Sequence, residues 1–340
     1  MTGKELQEEL TWKFPHIAKE APEQVEEAAA FCEGYKAFLD EGKTERECVK
    51  KAVELLKAAG YAEFDTQGSY QPGDKVYYVN RRKAIIATTF GKKPLSEGLH
   101  INGAHIDSPR LDLKPNPLYE KDGFALLDTH YYGGVKKYQW VTIPLAIHGV
   151  IIKKDGTTVN VAIGDDENDP VLGISDLLIH LAGDQMQKTA SKVIEGEDLD
   201  VTFGSIPLKD EEKNAVKANI LKMLNEKYQV EEEDLLSAEL EVVPAGKARD
   251  YGFDRSMVAG YGHDDRVCAY TSLRAVVDME EAPEYTSCCI LVDKEEIGSV
   301  GATGMQSKFF ENTVAELLNL NGDYNELKLK RCLAHSRMLS

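Results

Sequence analysis

The sequence predicts an α/β protein, and changes in the spacing of apolar residues along the chain predict it. In residues 21–60 apolar side chains recur every three or four positions, which is the helical period. Short apolar or alternating runs follow in residues 75–105, as strands require. A similar mixture of helix and strand resumes from Arg249. Helical pairs beside short strands favour layers of helices packed on a sheet.

The first third of the chain is predicted to supply two helices and three strands. Thr44 and Glu47 have the spacing of a capping box at the start of the second helix. Gly60 is suited to the end of that helix, because glycine tolerates the backbone angles found there. The strands are expected at 75–80, 84–90 and 99–105.

The pattern of apolar and turn-forming residues changes in the middle of the chain. Residues 110–247 are predicted to form a second, strand-rich domain. It is inserted into a first domain made of residues 1–109 and 248–340. Residues 112–134 carry two prolines and a Gly-Gly pair and are expected to be irregular. The other elements expected here are strands at 141–153, 157–163 and 240–243, helices at 174–182 and 210–228, and a loop at 189–200.

The last third is expected to return to the first domain. Its predicted elements are helices at 267–277, 308–318 and 326–339, an apolar strand at 288–292 and a glycine-bearing loop at 298–304. The final helix is expected to run to the end of the chain without a closing strand after it. The loop lacks the Lys-Ser or Lys-Thr pair of a phosphate-binding loop, which argues against that motif.

Composition excludes several classes of partner. The formal net charge is −18, so the chain repels phosphate backbones and nucleic acid is not an expected partner. No apolar run approaches the roughly 18 to 20 residues that a membrane helix needs, and the first residues do not resemble a signal peptide. The 6 cysteines show no CxxC spacing, which is typical of free thiols. A cytoplasmic protein without a membrane partner is expected.

A first candidate site residue, His105, ends a predicted strand, and Asp107 follows two positions later. Residues two apart on an extended chain face the same way. A carboxylate in that place can hold the far nitrogen of an imidazole that binds a metal. A surface histidine beside an acidic residue gives the same pattern. The spacing of His105 and Asp107 alone therefore does not decide between a metal ligand and a surface residue.

A second cluster, His263 with Asp264 and Asp265, precedes the helix expected from Val267. Acidic residues in this place are commonly helix caps, which is the role expected of Asp265. A carboxylate such as Asp264 can also bridge two cations with its two oxygens. His263 is expected to be structural or to support the site indirectly.

A third cluster, Glu295 and Glu296, follows the apolar strand at 288–292. Two ionised carboxylates are costly to bury there, and a cation would offset the cost. One could then bind the cation while the other takes a proton from an attacking water. A solvated turn explains the pair alone equally well. A glycosidase also uses two carboxylates, but it would leave His105 and Asp264 without roles.

Three motifs in this order resemble those of the M18 metalloaminopeptidases. They are GAHIDSP at 103–109, GHDDR at 262–266 and DKEEIGS at 293–299, with further similarity in YGG at 132–134 and LLIHL at 177–181. The resemblance covers nearly the whole chain and is closest to the clostridial type. It implies a three-layer zinc-peptidase domain with a central mixed sheet and an inserted, strand-rich oligomerisation domain. It also implies dimers that assemble into a dodecamer.

The resemblance implies an aminopeptidase that removes the N-terminal residue from peptides with two zinc ions per subunit. Cobalt and manganese are possible substitutes for zinc. His105 would bind one zinc, Asp264 would bridge both, and Glu296 would bind the other. Glu295 would be the general base, and Asp107 would orient His105.

The family's inserted domain contributes a histidine to the substrate of a neighbouring subunit, and His180 is the best match to it here. The family also has a further aspartate and a final histidine as ligands, which have no counterpart before Ser340. The chain is therefore expected to be truncated at its C-terminus. The alternative to an active enzyme is a catalytically incomplete fragment, or a non-catalytic assembly subunit of the same fold.

Overall fold

Two six-stranded sheets organise the protein, whose computed structural model describes residues 1–320 and 322–340. The helices are α1 (Gly3–Leu10), α2 (Ile17–Glu20), α3 (Pro22–Glu41), α4 (Glu45–Ala58), α5 (Lys137–Trp140), α6 (Ala215–Tyr228), α7 (His263–Val277), α8 (Phe309–Leu320) and α9 (Glu326–His335). The strands are β1 (Ala62–Glu63), β2 (Lys75–Asn80), β3 (Ala84–Thr89), β4 (His100–His105), β5 (Arg110–Lys121), β6 (Phe124–Tyr132), β7 (Leu145–Ile152), β8 (Thr158–Ile163), β9 (Val201–Gly204), β10 (Ala238–Pro244), β11 (Arg249–Tyr251), β12 (Met257–Ala259), β13 (Ser287–Val292) and β14 (Arg337–Leu339).

The first sheet has the order β1-β2-β3-β13-β4-β14 and mixes parallel with antiparallel pairs. Successive residues of β13 point to opposite faces, so Cys289 packs with α3, α4 and α7, whereas Ile290 packs with α8 and α9. Helices therefore cover both faces of the sheet. The α/β class and the central mixed sheet predicted above are confirmed.

The second sheet has the order β8-β7-β10-β5-β6-β9 and its strands pair antiparallel. Its strands all come from residues between Arg110 and Pro244. A separate apolar core, which includes Trp140, Ile147 and α6 residues such as Ile220, packs against it.

The prediction that residues 112–134 are irregular is wrong, because β5 and β6 form a long hairpin there. The prolines suggested a break, but they lie at a shift of register between Leu113 and Leu118, where a missing N–H group does not interrupt the ladder. The strands are joined at Asp122 and Gly123, which both have positive φ. Such a pair builds the tight turn of a hairpin.

Two helix predictions also need correction. Residues 174–182 are not helical, and Leu178 and Leu181 are exposed rather than packed along one helical face. The last predicted helix ends at His335, and β14 follows it, pairing parallel with β4. The open edge of β4 captures the chain there, since the N–H of Arg337 donates to the carbonyl of Leu99 at 2.9 Å. The expectation that a helix occupies the end of the chain is therefore wrong.

Other local predictions are confirmed. Thr44 and Glu47 form a capping box at the start of α4, with the side chain of each accepting from the other's backbone N–H. Gly60 follows that helix with φ of 85°, the left-handed conformation expected at a helix end.

Buried charges connect the first sheet and its helices to the second sheet. Arg110 of β5 lies 3.2 Å from Glu241 of β10 and 3.5 Å from Glu45 at the start of α4. Lys83, just before β3, lies 2.9 Å from Glu45. All four side chains are buried, so each charge depends on its partners rather than on water.

Among residues 1–320 and 322–340, the structure has no helix that is both long and apolar enough to cross a membrane.

Candidate metal centre

The three sequence clusters meet at one end of the first sheet. His105 is the last residue of β4 and lies directly opposite Val292, the last residue of the parallel strand β13. The two strands therefore deliver His105 and the turn Glu295–Ile297 to the same edge. Helix α7 packs against β4 and begins with His263 and Asp264, which places Asp264 beside His105.

Three side chains that could bind metal ions converge at this edge of the sheet. One ligand atom each from His105, Asp264 and Glu296 lies within 4.8 Å of the other two. Nε2 of His105 is 3.2 Å from Oδ1 of Asp264. Two ligands about 2.0 Å from a tetrahedral zinc ion are about 3.3 Å apart. One imidazole and two carboxylates are ligands that zinc accepts, and the separation of His105 from Asp264 fits two ligands of one zinc ion.

The electrostatics of the cluster favour a cation. Burial raises the pKa of Glu296, and the charges of Asp107, Asp264 and Glu295 add to the effect against the opposing influence of His105. For His105, burial acts to lower the pKa, but the hydrogen bond and charge of Asp107 outweigh it and raise the pKa to about 9. A crowd of carboxylates around one imidazole is the arrangement that a bound cation relieves.

Asp107 lies at the centre of the hydrogen bonds that support these groups. Its side chain is fully buried, and Oδ1 lies 3.3 Å from Nδ1 of His105. Its two oxygens accept the backbone N–H groups of Glu295 and Glu296, each at 3.2 Å, and Oδ2 also accepts the hydroxyl of Tyr132 at 2.7 Å. Although burial raises the pKa of Asp107, the hydrogen bonds from His105, Tyr132 and Glu296 outweigh it and lower that pKa.

The imidazole of His105 is held in one orientation. Nδ1 lies 3.0 Å from the carbonyl oxygen of Asp107, so that an N–H group on Nδ1 donates to it. Nε2 then faces Asp264 and lies 3.7 Å from Oε2 of Glu295. The nitrogen free to bind a metal is the one that points into the cluster.

Glu295 and Glu296 differ in their surroundings although they are adjacent. Glu296 belongs to the group of converging ligand atoms. The side chain of Glu295 is 55% exposed and reaches the edge of the cluster near His105. The Glu295 carboxylate is therefore in contact with solvent while it lies beside His105.

The start of α7 is kinked. Gly262, with φ of 85°, precedes it, and Asp264 and Asp265 have non-helical backbone angles, so that the regular part of the helix begins after Asp265. The peptide bond between Asp264 and Asp265 is cis. His263 faces away from the cluster and pairs through Nδ1 with the hydroxyl of Tyr35 at 2.8 Å, as expected of a structural histidine.

His180 is not brought into the cluster. It lies in an exposed turn of the segment that connects β8 to β9, rather than on the helix predicted there. The four large apolar residues around it, Leu177, Leu178, Ile179 and Leu181, are each more than half exposed.

Sequence reasoning missed three residues that support the centre. Tyr132 donates to Asp107, and the hydroxyl of Ser108 donates to the carbonyl of Asp264 at 3.0 Å. The Nε–H of the buried Arg266 donates to the carbonyl of Ile106 at 3.3 Å, which ties α7 to the end of β4. Ser108 and Arg266 lie inside the two motifs, and Tyr132 precedes a Gly-Gly pair, but spacing alone assigned them no role.

Comparison with known proteins identifies the family. Residues 38–340 match the family model of the aminopeptidase I zinc metalloproteases, M18. A probable M18 family aminopeptidase 1 from Clostridium acetobutylicum is 62% identical over 322 residues, which are 93% of this chain and 69% of that protein. A probable M18 family aminopeptidase 1 from Thermotoga maritima is 46% identical over 316 residues, again 93% of this chain and 69% of that protein.

Solved structures agree in fold. The M18 aminopeptidase crystal structure from Thermotoga maritima superposes with a TM-score of 0.92 at 43% identity, covering 97% of this chain and 72% of that one. Aminopeptidase I from Clostridium acetobutylicum gives 0.86 at 56% identity, with 97% and 73% covered. A dodecamer of mApe1 from the yeast S. cerevisiae gives 0.71 at 22% identity, with 91% and 70% covered, and at that identity it shows the fold alone. The chain therefore belongs to the M18 family of zinc metalloproteases, whose activity is the metal-dependent aminopeptidase hydrolysis of peptides.

Proposed function

We propose that this chain removes the N-terminal residue from peptides at the cluster of His105, Asp264 and Glu296, with two zinc ions bound. The convergence of these three ligand atoms within 4.8 Å supports the proposal. His105 and Glu296 would each hold one ion, and Asp264, whose carboxylate has two oxygens, would bridge them. Bound zinc would supply the Lewis acidity that polarises the scissile carbonyl and activates water.

Glu295 is proposed as the general base. Its carboxylate lies at the cluster but is not one of the three converging ligands, and it is open to solvent. It would take the proton of the attacking water and pass that proton to the leaving amine. Asp107 would keep His105 in the orientation that presents Nε2 to the metal.

The substitution Glu295→Gln tests the proposal. It preserves the size of the side chain and removes its basicity, so zinc content should stay at the wild-type value while turnover falls by about 10²- to 10⁴-fold. Zinc content is read by metal analysis after dialysis, and turnover with aminoacyl chromogenic substrates. Full activity in Glu295→Gln would exclude Glu295 as the base.

Glu296→Gln is the matched control, because it alters the neighbouring carboxylate in the same turn. It should lose zinc as well as turnover, since Glu296 belongs to the ligand cluster. Retention of full zinc content in Glu296→Gln would contradict its assignment as a ligand.

A second candidate is a subunit that keeps the fold without turnover. The cluster in the described residues supplies three ligand residues, whereas each catalytic zinc ordinarily has three protein ligands of its own. Metal analysis of the wild-type chain distinguishes the two. About two zinc ions per chain favour the enzyme, and a chain that holds no zinc favours the non-catalytic subunit.

We also propose that residues 110–247 form an inserted domain through which the chain self-associates, the remainder being the catalytic domain. The exposed apolar segment 177–181 supports this, since monomeric proteins rarely leave such a patch uncovered. A dodecamer is known for the yeast relative. In such an assembly the exposed His180 would approach a neighbouring subunit's substrate. All 6 cysteines are free, which suits the cytoplasm proposed for the chain.

A further inference from the structure

Tyr132 connects the second sheet to the metal centre. It is the last residue of β6, its side chain is buried, and its hydroxyl donates to Oδ2 of Asp107 at 2.7 Å. Asp107 belongs to the loop after β4 of the first sheet. The hydrogen bond therefore joins the two sheets at the residue on which the cluster depends.

Movement of Asp107 would be felt by three functional groups at once. One carboxylate oxygen faces Nδ1 of His105 and accepts the N–H of Glu295, and the other accepts the N–H of Glu296. The proposed base and two proposed ligands thus share one support. Whatever fixes the position of this carboxylate fixes their geometry relative to one another.

Tyr132 is itself held by charged neighbours. Arg110 lies directly opposite it in the β5–β6 ladder, and the Arg110 guanidinium lies 3.8 Å from the centre of the Tyr132 ring. Arg110 is in turn fixed by Asp112 at 2.8 Å and by the buried Glu241 at 3.2 Å. A guanidinium over an aromatic face is attracted by the ring's electrons. The ring therefore has little freedom to turn its hydroxyl away from Asp107.

The close packing around Tyr132 points the same way. Gly133 follows with φ of 72°, and a Cβ on it would lie 3.1 Å from Cβ of Glu296. The end of β6 is thus pressed against the turn that carries the two glutamates. Nζ of Lys294 also lies 5.3 Å from the centre of the Tyr132 ring.

We propose that Tyr132 is a positioning residue of the metal centre. Its hydroxyl, held in place by Arg110, fixes the Asp107 carboxylate, which in turn holds His105 and the backbone of Glu295 and Glu296. The effect on metal binding rests on the function proposed above, whereas the hydrogen bonds themselves do not. The contrasting view is that the Tyr132 ring merely fills space between the sheets and its hydroxyl is dispensable.

Amide hydrogen exchange of Tyr132→Phe separates these views without any metal. The substitution keeps the ring and removes the hydroxyl. The amides of Glu295 and Glu296 should then exchange at least about 10-fold faster, because the carboxylate that accepts them is no longer held. The amide of Ile290, within β13, should be unchanged. Tyr131→Phe is the matched control, since Tyr131 is adjacent to Tyr132 and its side chain is 41% exposed. This substitution should leave the exchange rates of all three amides unaltered.

Two exchange results would overturn the proposal. Unchanged rates at Glu295 and Glu296 would show that the hydroxyl supports nothing there. Acceleration that includes Ile290 to the same degree would show that Tyr132→Phe loosens the fold as a whole, and the role would be structural only.

Zinc affinity gives the second readout, measured by competition between the chain and a chromogenic chelator with zinc as the sole added metal. Loss of a group that supports metal ligands typically weakens binding about 10- to 100-fold, and that loss is expected for Tyr132→Phe. Because Tyr132 acts through Asp107, the double variant Tyr132→Phe/Asp107→Asn should bind zinc no more weakly than Asp107→Asn alone. In turnover, kcat should fall with KM nearly constant.

The two proposals fail in different ways. Additive losses of affinity, or a Tyr132→Phe affinity equal to wild type, would overturn the positioning role while leaving the metal site intact. A wild-type chain that binds no zinc would refute the proposed function, and the exchange rates at Glu295 and Glu296 would still decide the role of Tyr132.

Discussion

At the scale of single residues, His148 is the histidine most tightly bound to acidic neighbours outside the metal centre. It is buried in β7, with Nδ1 2.9 Å from Oε1 of Glu47 and Nε2 2.7 Å from Oδ2 of Asp165. Burial acts to lower its pKa, but the hydrogen bonds to Asp165 and Glu47 outweigh it and raise the pKa to about 9. Lys43, 4.0 Å from Asp165, is the nearby cation.

The pH dependence of stability should report His148. Its pKa in the folded protein, about 9, exceeds the unfolded value of about 6.5. The stabilisation is therefore complete below pH ~6.5 and is lost as pH rises through ~9, by up to about 3 kcal/mol. The free energy of unfolding, measured by urea titration at intervals from about pH 6 to about pH 10, should fall more steeply with rising pH for wild type than for His148→Asn.

Comparing wild type with His148→Asn cancels the contributions that other groups titrating in the same range make to the free energy of unfolding. One of these groups is His105, whose pKa is also raised to about 9. Parallel curves for wild type and His148→Asn would mean that His148 contributes no pH-dependent stability.

The sequence motifs predicted His105, Asp264 and Glu296 as site residues, and the structure brings these three together. Their metal-binding roles stay predictions. His148 could not have been found in the same way, because Glu47 lies 101 positions away along the chain and Asp165 lies 17 positions away, beyond β8. The same holds for Tyr132, whose partner Asp107 lies in the loop after β4 of the other sheet.

At the scale of elements, the capping box of α4 offers a direct measurement. Thr44→Ala removes the side chain that accepts the N–H of Glu47, and loss of such a cap costs about 1 kcal/mol. Helix α4 packs through Cys48, Ala52 and Leu56 against the first sheet. The cost should therefore appear in the global free energy of unfolding, measured by chemical denaturation.

Helix α1 supplies the matched control, because Thr2 and Glu5 form the same capping box there. Every residue of α1 is exposed, so its fraying is not linked to the core. Thr2→Ala should leave the global free energy of unfolding unchanged. Equal effects of Thr2→Ala and Thr44→Ala would contradict this account.

Short sequence patterns predicted helices and strands correctly where no second pattern in the same segment conflicted with them. The strand at 75–80 was placed correctly because its alternation had no competitor. The β5–β6 hairpin was missed because its prolines suggested irregular backbone, whereas Asp122 and Gly123 form the turn of a hairpin. Residues 174–182 have helix-like apolar content, but the segment forms no helix, and its apolar residues at 177–179 and 181 are exposed.

At the scale of the whole molecule, self-association is the property to measure. Leu178 and Leu181 are 62% and 68% exposed in the segment proposed to contact another copy. The double variant Leu178→Asp/Leu181→Asp would place charges in that contact, which is strongly unfavourable. Wild type should sediment as an oligomer and the variant as a smaller species.

Leu236→Asp is the control, since Leu236 is 54% exposed elsewhere in the same region of the chain. It should not change the sedimentation coefficient. An unaltered coefficient for the double variant would exclude segment 177–181 from the contact. Circular dichroism spectra should coincide for all three proteins, because the substituted side chains are exposed.

The presence of two sheets could be predicted from the change in the pattern of apolar and turn-forming residues along the sequence. The contacts that join the two sheets could not. Glu45, Arg110 and Glu241 are separated by long stretches of chain, and nothing local marks them as neighbours. Their contact follows from tertiary packing, in which buried charges must find partners.

The antiparallel pairing of β5 with β10 has a consequence for how the chain can vary. Asp112 lies opposite Glu241, and Leu111 lies opposite Val242, so the segment between them leaves and returns at adjacent points. Once that pair has formed, the two ends of the segment are held close together. For the assembly of the first sheet, the whole segment then acts as a short connection. The entropy of closing a loop grows only logarithmically, by about 0.6 kcal/mol for each doubling of length. Lengthening the far turn between β7 and β8, at Lys153–Thr157, would therefore leave assembly of the first sheet almost undisturbed.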